Sequence, residues 1–129
     1  MPYKITYLDE EGGVITEYWG TVTDDDIIES GRKKSSALER LKSYRYALTD
    51  LSRVDQFDLS TRGIQGNVDV TSEVFKVNRN LIVAFVLPTN VEYGMGRMWQ
   101  AYADEHGVKS HVCRTREEAE AWIKHNIKP

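Results

Sequence analysis

Leu81 to Leu87 reads LIVAFVL, seven consecutive apolar residues closed by Pro88. As a strand, such a run has no polar face to turn to water, so it must be covered on both sides. A parallel sheet lying between helices meets that requirement, whereas an antiparallel sheet with one wet face does not. The run also falls far short of the roughly 20 apolar residues that a membrane-spanning helix needs, so no span is expected.

The rest of the chain supplies the helices and the other strands. Tyr3, Ile5 and Tyr7 alternate with Lys4 and Thr6 ahead of the turn Asp9-Glu10-Glu11-Gly12-Gly13, and Val14 to Val22 is again rich in β-branched and aromatic residues, so the first 22 residues predict an antiparallel hairpin. Thr23 followed by Asp24, Asp25 and Asp26 predicts a helix start, a hydroxyl cap with acids at the positive end of the dipole. That helix is expected to run to about Lys42, with Ile27, Ile28, Gly31, Leu38 and Leu41 inward and the basic run Arg32-Lys33-Lys34 on its solvated face. Tyr44 to Leu51 is a third strand and Asn80 to Leu87 a fourth. Between them Gly63, Gly66 and Asn67 predict a loop or broken turn over Ser52 to Val70, then a short helix from about Asp69 to Asn78 with Val70, Val74 and Val77 inward.

After Pro88, Thr89-Asn90-Val91-Glu92 has the spacing of a capping box, and Val91, Met95, Met98, Trp99, Tyr102 and His106 form one helical stripe that Gly107 stops. Within it, Gly94 and Gly96 do not follow a strand with the spacing of a phosphate loop, so they mark a close approach to a neighbouring element. Val108 to Arg114 is a fifth strand, and Thr115-Arg116-Glu117-Glu118 caps a last helix with Ala119, Trp122 and Ile123 inside. The order ββαβαβαβα, uninterrupted by any linker, predicts one α/β domain over residues 1–129: about five strands, an N-terminal hairpin followed by alternating helices and mostly parallel strands.

Lys and Arg number 17 against 20 Asp and Glu, a net charge of −3, which gives no general attraction for nucleic acid. The lone Cys113 excludes an internal disulfide. The opening MPYKITYLDEE has no basic segment followed by an apolar stretch, so no signal peptide is expected and the cytoplasm is the expected compartment. Tyr18 and Trp19 are consecutive on a marginal strand, so one of them faces away from the core, and a homodimer through that face is expected.

This order, together with Asp50-Leu51-Ser52, Val54, Asp58 and Ser60 and the ending CRTREEAEAWI, resembles the STAS superfamily, in particular its SpoIIAA-like (STAS/SEC14-like) bacterial proteins. That group is similar in an aliphatic strand ending in proline, an aromatic-Gly-x-x-Arg-Met helix and a strand running into Thr-x-x-Glu-Ala-x-x-Trp. Here these are LIVAFVLP, Tyr93 to Met98 and Thr115 to Trp122. In the anti-sigma-factor antagonists of the superfamily, a partner kinase phosphorylates a serine that follows Asp-x at the start of the helix after the third strand. Asp58-Leu59-Ser60 has that spacing, so the resemblance implies Ser60 as the acceptor, although Thr61 stands where the family ordinarily has glycine.

No catalytic constellation stands out. His106, His111 and Cys113 lack the spacing of a metal site, the acids at Asp24 to Asp26 are explained by the helix start, and no cofactor is expected. An enzyme would have to assemble Asp50, Ser60 and His111. In an open parallel sheet, ligands and partners meet the loops beyond the carboxyl ends of the strands. That rule selects Asp50, Ser52, Asp58, Ser60, Thr89, Asn90, Tyr93 and Arg97 as a recognition surface. The expected function is a non-catalytic STAS-like module that binds a protein partner or a small, lipid-like ligand. The alternative is a phosphoregulated antagonist switching at Ser60.

Overall fold

The computed structural model describes residues 2–127, apart from the side chains of residues 91 and 92. An antiparallel hairpin of β1 (Tyr3–Leu8) and β2 (Gly13–Thr23) opens the chain, turned by Gly12 at φ +66°. There follow α1 (Asp24–Ser36), the short α2 (Leu38–Leu41), β3 (Tyr46–Asp58), α3 (Thr61–Val77), β4 (Ile82–Val86), α4 (Asn90–Asp104), β5 (Lys109–Cys113) and α5 (Arg116–Asn126). The strands lie in sequence order in a five-stranded sheet, parallel from β2 through β5. Among the described residues no helix is long and apolar enough to cross a membrane.

The LIVAFVL run divides between two cores, as its composition requires. Leu81, Val83, Phe85 and Leu87 pack under α1, α3 and α4, while Ile82, Ala84 and Val86 pack with Ala119 and Ile123 of α5. Tyr46, Leu48 and Cys113 join them on the α5 face. Tyr18 turns into the larger core and Trp19 turns out, 39% exposed, on the part of the sheet that α5 does not reach.

Local chemistry sets the helix starts. Thr23 accepts the Asp26 amide while the Asp26 carboxylate accepts the Thr23 amide, a complete capping box. Thr115 accepts the Glu118 amide at the start of α5, and the Glu118 carboxylate reaches back to the amide of Arg114. The reciprocal box read at Thr89 and Glu92 lies outside the described residues. At the hairpin tip, Arg40 of α2 forms a two-pronged bond to Asp9 at 2.8 Å, and Tyr44 donates to the same carboxylate. These bonds hold the Asp9 carboxyl down to about 2.

Four expectations are corrected. The first helix does not run unbroken to Lys42 but breaks at Ala37. Ser52 to Val70 is not a loop: Ser52 to Asp58 continues β3 along the far half of β2, and α3 starts at Thr61. Gly63 and Gly66 are contact positions of that helix. A Cβ at Gly63 would stand 1.9 Å from Oδ1 of Asp24, and one at Gly66 2.9 Å from Ile28, while across the seam one at Gly31 would stand 2.8 Å from Val70. Val77 is 49% exposed, and Ile64, Val68, Thr71, Val74 and Phe75 form the inner face instead. Trp122 is half-buried and stacks on His111 at 5.3 Å, with Ala119 and Ile123 as the interior anchors of α5. Trp99 is buried as expected, edge-on to Phe85 at 4.4 Å, and its indole donates to Asn67, whose amide donates to the Ile27 carbonyl, tying α4, α3 and α1 together.

The glycines of α4 make opposite predictions. Nothing lies within 4 Å of a Cβ at Gly94, whereas one at Gly96 would stand 2.4 Å from Leu87 and 3.1 Å from Val112. Gly94→Ala should raise stability by about 1 kcal/mol through helix propensity. Gly96→Ala should lower it by about 1–3 kcal/mol through overpacking, both read by urea denaturation.

Candidate functional site

The residues selected as one recognition surface fall into separate groups. Asp50 turns toward the α5 face, following Tyr46 and Leu48 along β3. It accepts from the Ser52 amide at 2.9 Å, the Ser52 hydroxyl at 2.6 Å and Nη1 of Arg116 at 2.9 Å. Burial alone pushes this carboxyl up, but the bonds from Ser52 and Arg116 outweigh it and leave the group below its ordinary value. Glu17 and Glu120 flank the same guanidinium, so Arg116 sits in a network of acids.

Ser60 is the N-cap of α3, on the other side of the sheet. Its oxygen accepts the Gly63 amide at 3.2 Å while its hydroxyl donates to Asp24 at 2.6 Å, and its amide donates to the second oxygen of the same carboxylate. One acid at the start of α1 thus fastens the start of α3. Asp58, the last residue of β3, is exposed beside it.

At the start of α4, Asn90 accepts from Arg114 at 2.8 Å, and the guanidinium of Arg114 lies 4.3 Å from the ring centre of Tyr93. Thr89 offers its carbonyl to the Tyr93 amide, and Arg97 is exposed further along the helix. Arg114 and Arg116 were missed by sequence reasoning. The signal was present, since both flank the Thr115 cap at the carboxyl end of β5, where the strand-end rule applies equally.

The three residues of the enzyme reading have other partners: Asp50 is held by Ser52 and Arg116, Ser60 by Asp24, and His111 by the Trp122 ring. Among the described residues no group of His, Cys, Asp and Glu is arranged to hold a metal ion. Cys113 is buried in the α5 core, which pushes its thiol up to about 11.

The feature that sequence reasoning did not reach is a cavity of about 100 Å³ between the sheet and the layer of α1, α3 and α4. Ala47 and Thr49 lie on β3, the central strand, yet they are only half-buried because the void lies above them. The lining is almost wholly apolar, and its large half-buried residues, Phe57, Leu59 and Met95, mark where the void meets the surface.

Lys34 also lines this cavity. Arg32 and Lys33 face water as the basic run predicts, but Lys34 departs from it. The residue is half-buried, its ammonium donates to Thr16 at 3.1 Å, and burial lowers it to about 8. Among the described residues the only other titratable group of the lining is Tyr18, a phenol that burial pushes far up.

The N-terminal hairpin, the sequential parallel strands and the uneven helical layers define the SpoIIAA-like, or STAS-like, fold. Among solved structures, the chain is similar to an uncharacterised SpoIIAA-like protein of the DUF3478 family from Shewanella loihica, with a TM-score of 0.59 and 16% identity over 94% of this chain and 91% of that one. It is likewise similar to the anti-sigma factor antagonist SpoIIAA in its unphosphorylated form (TM-score 0.54, 13% identity, 95% and 97% covered) and to the phosphorylated Bacillus protein (0.53, 16%, 94% and 98%). At these identities the likeness is one of fold. No model of a known protein family matches the sequence, and no curated protein matches it.

A lysine that is harder to charge when folded binds fewer protons folded than unfolded between about 8 and 10.5. It therefore costs stability below that window, and the cost fades as pH rises through it. Lys34→Met should raise the thermal midpoint at neutral pH, with the gain shrinking from about pH 8 upward, measured by differential scanning fluorimetry against the parent chain.

Proposed function

We propose that the chain is a non-catalytic, STAS-like regulatory module that holds a small apolar ligand between its sheet and the layer of α1, α3 and α4. The observation that carries this reading is the apolar void over Ala47 and Thr49 on the central strand of the sheet. A cavity of about 150 Å³ lined by Leu, Ile and Phe is enough to stay dry and bind benzene. The lining here is of that kind, with an outlet among Phe57, Leu59 and Met95. Native mass spectrometry of protein purified from its own cells should show a retained small molecule, and extracting it should lower the thermal midpoint. A bare mass, together with a midpoint that apolar probes do not move, would overturn the reading.

A second reading has its own support in Ser60. It starts α3, as the acceptor of the phosphorylated antagonists starts its helix, and its hydroxyl lies 2.6 Å from the Asp24 carboxylate. A phosphate there would bring about −1.5 to −2 charges against that acid and part the starts of α1 and α3. Ser60→Asp should therefore change affinity for a protein partner and lower stability together, and phosphopeptide mass spectrometry should find Ser60 modified. An unmodified Ser60 in cells, with partner binding the same in both forms, would sink it. The exposed Trp19 at the uncovered part of the sheet supports a docking face for a second copy of the chain.

A further inference from the structure

Among the described residues Lys34 is the one charged group facing the cavity, and it is under-served. An ammonium carries three donors and no acceptor. Its hydrogen-bond acceptor here is the Thr16 hydroxyl, itself buried, and no carboxylate lines the void among the described residues. Thr16 is paired with Thr49 across the β2–β3 register, and Thr49 lines the cavity, so the lysine and both threonines gather at one place above the middle of the sheet. A buried cation with so little compensation is costly unless something supplies an acceptor and a counter-charge.

We propose that the missing counter-charge is the ligand's, and that the cavity takes a small single-tailed carboxylate whose head meets Lys34 beside Thr16 and Thr49 and whose tail runs among the apolar residues toward Phe57, Leu59 and Met95. This rests on the reading of the cavity as a ligand site. One negative charge matches one ammonium, whereas a phosphate dianion would leave excess charge in an apolar chamber. The size sets how much of the tail is enclosed: benzene's six carbons occupy about 150 Å³ in the comparable engineered cavity, so this void of about 100 Å³ takes the carboxylate and the first carbons of a short tail, and the remainder passes through the outlet.

Hexanoate and its neutral isostere hexanamide distinguish the head-group claim from the cavity claim. In isothermal titration at about pH 8.5, run in two buffers of different ionisation enthalpy, hexanoate should bind the parent chain about tenfold more tightly than hexanamide, as a charge-assisted contact implies. It should also draw a proton from the buffer, because Lys34 is partly neutral at that pH and must charge to meet the anion. Lys34→Met should bind the two compounds alike and take up no proton. Equal binding of both by the parent chain without proton uptake would overturn the carboxylate and leave the cavity as an apolar site. Binding of neither would overturn both. The proton count on the parent chain decides the point even if the variant fails to fold.

Discussion

β4 has no solvent side. Its residues alternate between one core under α1, α3 and α4 and another under α5, so every arrangement of this chain must cover the sheet twice. Three long helices fall on one face and only α5 on the other, and the asymmetry leaves the hairpin margin, with Trp19, outside the covered area. The site follows from the same constraint, because the void lies on the side where several helices meet over the central strand.

Those helices are fastened to one another as well as to the sheet below. Gly31, Gly63 and Gly66 bring α1 and α3 into contact closer than side chains would permit, and Asn67 joins both to Trp99 of α4. The helical layer is thereby braced across its own width. Under it, β3 presents the small Ala47 and Thr49 where a large residue would close the gap. Lys34 lies at that gap because the last turn of α1 passes over it, and Thr16 on β2 supplies the hydroxyl that draws it in.

The parts of this fold that were readable in the sequence are those in which a residue's own chemistry decides its place. LIVAFVL can be nothing but a doubly covered strand, Thr23 with its trailing acids starts a helix, and Gly107 at φ +72° ends one. Ser52 to Asp58 was unreadable because a polar segment becomes a strand here only by pairing with the long β2. Gly63 and Gly66 misled because glycine breaks a helix in isolation, whereas these two serve a neighbour that the sequence does not reveal. The surface residues were found one by one, but their division across the two faces depends on the parity of β3, which places Asp50 toward α5 and leaves Ser60 to cap α3. Lys34 was hidden by its company, one basic residue among three.

β2 and β3 are 11 and 13 residues long, while β4 and β5 have only five each, so the carboxyl halves of the long pair run on beyond the sheet as a two-stranded ribbon. The register slips twice along it, between Glu17 and Trp19 and between Gly20 and Thr21. α1 springs from the end of one of these strands and α3 from the end of the other, and the Asp24–Ser60 bonds lock the two roots together. The helix pair is thus rooted at the end of a single ribbon. Both helices over the chamber share one foundation, so the placement of one root fixes the placement of the other.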